Sequence, residues 1–239
     1  MGCVHPGRTS DEEEYSDAAS DDWDGGYADA PTARRDAHGA DNAAGAPGDG
    51  AHLVDPEPLV PGDYLPSTSE PSSLLDNAHL CALAAAVPLR HRWRRWRLVY
   101  ATARDGTSLS TLYRRAAEQR GPCVLVVRDR GGAVFGCFTS EAWRVASRYY
   151  GTGESFVFQL KPRSALWRWH QKRMRVVRND FFQFGRPECV ALGGAPRYAV
   201  CLDGDLAFGS SGASETFGSP CLASSEEFEV GRVELWSLA

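Results

Sequence analysis

The run FEVGRVELWSL, Phe228 to Leu238, alternates apolar and polar residues for longer than any other segment of the chain. Period-two alternation puts successive side chains on opposite faces, so this run predicts a β-strand with one face in a core. Glu234 and Trp236 alternate with Leu235, which predicts a core-facing strand. The same pattern recurs in shorter pieces: WRLVYATA (Trp96–Ala103), CVLVVRD, AVFGCFTS, ESFVFQL, LWRWH, NDFFQFG, RYAVCL and DLAFG. Turn signals separate them, among them Arg104-Asp105-Gly106 and Asp129–Gly132, the second closing a hairpin from Cys123 to Thr139. About eight to ten short strands with few helices predict an α+β, mainly β chain, a two-sheet antiparallel β-sandwich with a few peripheral helices.

Two helices are predicted. LLDNAHLCALAAAVP carries Leu75, Leu80, Leu83, Ala84 and Val87 at helical spacing and is stopped by Pro88. SLSTLYRRAAEQRG has Ser108 as N-cap, an apolar stripe of Leu109, Leu112 and Ala116, and Gly121 as terminator. EAWRVASRYY reads as helical or irregular.

Charge divides the chain. Residues 1–75 hold 16 acidic and 3 basic side chains; subtracting these from the chain totals leaves 23 basic and 15 acidic beyond, so a net −13 precedes a net +8. The acidic part is rich in Gly, Ala, Pro and Asp and has too little apolar surface to offset the entropy of ordering. Residues 1–72 are therefore expected to be a disordered tail ending in a proline-rich linker, Pro56–Ser73, and residues 73–239 the folded domain.

The basic excess includes RHRWRRWR (Arg90–Arg97) and RWHQKRMRVVR (Arg168–Arg178). Arginine interleaved with tryptophan suits stacking on bases and contact with phosphates. Alternation beside strands explains the same runs as solvated faces, which an acidic protein partner would also suit. The seven cysteines are odd in number and form no CxxC pair. Free thiols in a reducing compartment are expected, with no zinc framework. No run reaches membrane-span length. Gly2 and Cys3 suit a myristoyl-palmitoyl anchor, but Pro6 stands where that motif wants Ser or Thr, so an unmodified terminus is expected.

Candidate sites each have a plainer structural reading. Gly151-Thr152-Gly153-Glu154 lacks the GK[ST] ending or following helix of a phosphate loop and reads as a turn, with Glu154 bonding loop amides. In LDGDLAFGSSGASETFG (Leu202–Gly218), Asp203 and Asp205 bracket a glycine, but Ser214 stands where a calcium loop needs Glu, so Asx turns account for them. Ser211 and Thr216 as nucleophiles would need a base, and past His91 the chain offers only His170. Cys221, in the loop after Pro220, is the expected accessible thiol and the redox candidate. No catalytic residue, cofactor or metal is assigned.

Taken in order, WRLVYATARDGTSLSTLYRR, GPCVLVVRDRGGAVFGCFTS, YYGTGESFVFQL, NDFF, CLDGDLAFGSSGASETFGSPCL and FEVGRVELWSL resemble the TLDc domain family over nearly all of residues 74–239. The matching positions are Gly151, Gly153, Glu154, Asp203, Asp205, Gly209, Ser211, Thr216, Phe217, Glu234 and Trp236. The resemblance implies a two-sheet sandwich without enzymatic chemistry and a role in oxidative-stress resistance. It also implies binding to the peripheral sector of the vacuolar proton-pumping ATPase, with control of its assembly or activity. Loops and the C-terminal strand region would meet that partner. A cytoplasmic monomer is expected, recruited to lysosomal and endosomal membranes through the ATPase and compatible with a nuclear pool. An antioxidant thiol enzyme acting through Cys221 is the alternative, with nucleic-acid binding behind it.

Overall fold

The computed structural model describes residues 53–169 and 179–239. The chain is mainly β, with eleven strands and three short helices among the described residues. The strands are β1 (Glu57–Pro58), β2 (Trp96–Ala101), β3 (Cys123–Asp129), β4 (Val134–Thr139), β5 (Phe156–Lys161) and β6 (Ala165–Arg168). They continue with β7 (Gln183–Arg186), β8 (Cys189–Leu192), β9 (Val200–Asp203), β10 (Phe208–Ser210) and β11 (Glu227–Leu238). The helices are α1 (Asn77–Ala86), α2 (Thr102–Asp105) and α3 (Leu109–Ala117).

The paired strands are all antiparallel and run in the order β1-β6-β5-β4-β3-β11-β10-β9-β8-β7, with β2 also on β11. The expected two sheets are therefore two layers of one hydrogen-bonded sheet that share β11. Glu227 to Glu229 pair with β10, while Val230 to Ser237 pair with β3 and Glu234 to Leu238 with β2. A bulge at Gly231 separates the two stretches on the β3 side. An extra residue bends a strand and raises its twist, which turns the β10-β9-β8-β7 layer over the first.

The strands of the first layer are buried on both faces. Leu125, Val127, Phe135, Cys137 and Val157 face the core between the layers, where Val190, Leu192, Val200 and Leu202 meet them. Val124, Val126, Phe138, Phe156, Phe158 and Trp236 face a second core, covered by α1 and by Leu59, Leu74 and Leu75. This explains why β3 reads as an unbroken apolar run.

The helix caps follow the side chains. Asp76 and His79 form a capping box on α1 (His79 N to Asp76 Oδ1, 2.8 Å). Ser108 caps α3 by accepting from Thr111 N, and Leu109, Leu112 and Ala116 are buried as their spacing predicts. Helix α3 stops at Ala117, before Gly121, because Glu118 N and Gln119 N bond three residues back and tighten the last turn. Arg104-Asp105 forms not a bare turn but the one-turn helix α2, which Gly106 ends at φ 79°. EAWRVASRYY is irregular.

The proline-rich segment is not a linker: residues 53–73 lie against the domain. Val54 N donates to Gly218 O (2.8 Å), Trp167 Nε1 to Val54 O (3.1 Å), and β1 pairs with β6. Leu59, 4 % exposed, supplies the apolar anchor that the prolines around it obscured. The acidic tail up to residue 52, with Gly2 and Cys3, lies outside the described residues, as do His170 and the basic stretch Gln171–Arg178. Among the described residues no helix is long and apolar enough to cross a membrane.

Gly136 marks the tightest approach of β4 to β3. A Cβ there would lie 1.9 Å from Leu125 O, inside the ladder itself. Gly136→Ala should therefore destabilise the domain by at least about 1–3 kcal/mol, read as a lower urea midpoint with an unchanged slope.

Candidate functional site

Glu234 sits on β11 in the face toward α1, 2 % exposed. Its Oε1 accepts from Ser73 N (2.7 Å) and Ser73 Oγ (2.8 Å), and its Oε2 from Ser72 Oγ (2.6 Å) and Trp236 Nε1 (3.1 Å). Four donors converge on one carboxylate, so its charge is compensated by hydrogen bonds rather than by a cation. Ser72 Oγ in turn accepts from Leu74 N and Leu75 N, which starts the approach to α1. The family-motif pair Glu234 and Trp236 thus latches the N-terminal segment to the central strand. Trp236 also packs beside Trp96, ring centroids 6.5 Å apart.

The Gly-rich stretch begins as a turn and continues in buried contacts with other segments. Asp203 accepts from Ala207 N (2.9 Å) and Phe208 N (3.2 Å), closing the β9–β10 turn. Asp205 is exposed in that turn, and Leu206 beside it takes φ 50°. Gly209 is required because a Cβ would lie 2.6 Å from Cys201 O. Ser211, 1 % exposed, donates to Ala199 O (2.7 Å) and accepts from Leu222 N (2.8 Å). Thr216, fully buried, bonds Asn179 Oδ1 (2.8 Å), and Phe217 fills the inter-layer core. Neither hydroxyl faces solvent, so neither is placed as a nucleophile.

The second turn departs from expectation at one residue. Gly151 takes φ 96°, and a Cβ on Gly153 would strike the Trp169 ring at 2.3 Å. Glu154 does not bond loop amides: it forms a two-pronged ion pair with Arg90, across from the 3₁₀ turn Leu89–His91. Arg92 donates to Ala85 O (2.8 Å) and Arg94 to Leu238 O (3.3 Å), and Trp96 is wholly buried. The interleaved RHRWRRWR run therefore offers no row of stacking rings. It exposes Trp93 (66 %) with Arg94, Arg95 and Arg97, next to the exposed Leu89 (71 %), and Trp93 stands edge-on to Tyr64 at 4.4 Å.

Cys221 is half-buried, its thiol 3.6 Å from Ala223 O. A feature that reading along the chain missed is Cys189 and Cys201, brought to one face of β8–β9 by strand register. Only pairing reveals it, since the two residues lie far apart in the chain. A cleft of about 270 Å³ beside β6, lined by Val54, Glu57, Trp167, Arg168 and Phe217, holds Phe217 alone among the expected residues.

Asp105, its side chain 3 % exposed, pairs with both Arg104 and Arg115. Burial pushes its carboxyl up, but the Arg104 hydrogen bond, Ala101 N–H and the Arg104 and Arg115 charges outweigh that and hold it below the usual carboxylate range. A depressed folded-state value means that the unfolded chain binds the proton more tightly. The contribution is complete above the unfolded value near 4 and is lost as pH falls through the folded one. Asp105→Asn should flatten the acid limb of a melting-temperature profile below about pH 4.

Glu234→Ala would leave several buried donors without their acceptor. It should cost about 3 kcal/mol or more, with Glu234→Gln intermediate, and should open residues 53–73 to limited proteolysis.

The TLDc domain family pattern matches residues 68–239. The chain is 36 % identical over 181 residues to Oxidation resistance protein 1 of Rattus norvegicus, covering 75 % of this chain and 21 % of that protein. It is 35 % identical over 176 residues to Nuclear receptor coactivator 7 of Homo sapiens, covering 73 % and 18 %. The chain thus spans about a fifth of the length of these relatives.

Proposed function

The chain belongs to the TLDc domain family, and we propose that its domain is a noncatalytic protein-interaction module acting in oxidative-stress resistance. Its partner in this reading is the peripheral sector of the vacuolar proton-pumping ATPase, whose assembly or activity it regulates. The carrying observation is the likeness to Oxidation resistance protein 1 over the whole domain. The use of the family-motif side chains agrees with it. Glu234, Asp203, Ser211 and Thr216 bond backbone or neighbouring side chains, and Trp236 is core. Their chemistry is consumed in holding the fold, which leaves the surface to carry recognition.

The contact region in this reading centres on the turn that precedes β2. Strand β11 is paired on both edges and buried through Val233–Leu238, so only its first half, with Glu227, Glu229 and Arg232, is exposed. The exposed face around Leu89 and Trp93, with Arg94, Arg95 and Arg97 beside them, has the composition of a binding surface. An apolar anchor ringed by positive charge suits an acidic protein partner. Action would then take place in the cytoplasm and at the membranes that carry the pump.

Full-length protein should retain peripheral-sector subunits from lysate above the level of an unrelated β-sandwich. Trp93→Ala should reduce that retention by at least about tenfold, as a central aromatic anchor does. Retention equal to the unrelated control removes the ATPase reading.

A further inference from the structure

Strand register assembles a compact polar cluster on the outer face of β7, β8, β9 and β10. Ala191 pairs with Cys201 and Cys189 with Asp203, so the two cysteines are diagonal neighbours on one face. Arg186 lies directly opposite Cys189 across β7–β8, and Ser210 directly opposite Cys201 across β9–β10. Both thiols are free and half-buried. Register thus makes Cys201 the neighbour of both Cys189 and Ser210. We infer that Cys189 and Cys201 form a peroxide-reactive dithiol, in which Cys189 attacks and Cys201 resolves to a reversible disulfide.

The two thiols are unequal. The neighbouring Cys201 lowers the Cys189 thiol against the opposing effect of burial and of Glu188, and Arg186 adds to the lowering. Cys201 is pushed up by the neighbouring Cys189 and by burial, with Asp203 contributing. Tyr149 and Tyr198 stand beside the pair. A thiolate beside a guanidinium and partly open to solvent is the setting in which cysteine reacts.

The steps balance. The Cys189 thiolate attacks one oxygen of hydrogen peroxide, the O–O bond breaks, and hydroxide leaves to take a proton from solvent as water. Cys189 is then a sulfenic acid. The Cys201 sulfur attacks that sulfur, the S–O bond breaks, and the departing hydroxide takes the Cys201 proton as a second water. Two thiols are oxidised and one peroxide is reduced. Diagonal positions on a ladder sit roughly 7–8 Å apart, slightly beyond the usual Cα reach of a disulfide. Closing the bridge must shift β8 along β9 or twist the pair locally. Both strands are four residues long, and only β7 lies outside them. A bond closed under such tension is readily reduced, which makes it reversible.

The test treats reduced full-length protein with hydrogen peroxide, alkylates the remaining thiols and maps the products by peptide mass spectrometry. A Cys189–Cys201 disulfide that dithiothreitol reverses is expected, with Cys189 modified about tenfold faster than Cys221. Cys201→Ser should halt the reaction at a Cys189 sulfenic acid that dimedone traps. Arg186→Gln should slow Cys189 oxidation while leaving both thiols and the far-ultraviolet spectrum in place, and Cys221→Ser should change nothing. Oxidation of Cys221 ahead of Cys189, or no mapped Cys189–Cys201 bridge in the wild type, overturns the inference. Neither result bears on retention of ATPase subunits.

Discussion

Strand β11 is hydrogen-bonded along both edges, and no other strand touches as much of the molecule. Its first residues hold β10 and through it the β7–β9 layer; its later residues hold β3 on one side and β2 on the other. Layers that share a strand cannot slide past one another without breaking that strand's ladder. The inter-layer core therefore has one registration, fixed by the bulge at Gly231, where a Cβ would come within 2.9 Å of Arg128 O. The last strand in the sequence thus closes both layers, so much of the fold rests on contacts far apart in the chain, a topology that folds slowly.

On the opposite face the Glu234 latch performs a second closure. The outer face of the first layer carries Phe138, Phe156, Phe158 and Trp236, and neighbouring strands cannot cover it. Helix α1 covers it, and the entry to α1 is set by Ser72 and Ser73 bonding one buried carboxylate. A buried carboxylate is tolerable only with its oxygens satisfied, so the polar group adds direction to a contact that apolar packing alone would leave free to shift.

Much of this was legible in the sequence where a single element carries its own signal. The β3–β4 hairpin, the Ser108 cap, the α1 stop at Pro88 and the long alternation of β11 all follow from local pattern. The failures share a cause. Strand β8 is only Cys189–Leu192, between Pro187 and Gly193, too short for alternation to register. Strand β1 contains Pro58 and owes its existence to β6. The Arg90–Glu154 pair, the Glu234 latch and the Cys189–Cys201 cluster join residues distant in sequence, and no local period encodes a partner. The Asp203 turn is local and agrees with the turn reading, whereas the Ser211 and Thr216 bonds reach Ala199, Leu222 and Asn179 on other segments.

The molecule contains its own control for thiol reactivity. Cys123 and Cys137 stand in the same diagonal relation on β3–β4, since Cys123 pairs with Thr139 and Leu125 with Cys137. They face the inter-layer core, fully buried. Burial drives the Cys123 thiol up to about 12 and Cys137 up as well. One arrangement of two cysteines thus occurs twice, once in an apolar interior and once on an outer face beside Arg186 and Ser210. The first pair is held as thiols with no charge to stabilise a thiolate; the second has both a donor and a cation at hand. Depth in the sandwich, rather than spacing in the sequence, separates an inert pair from a reactive one.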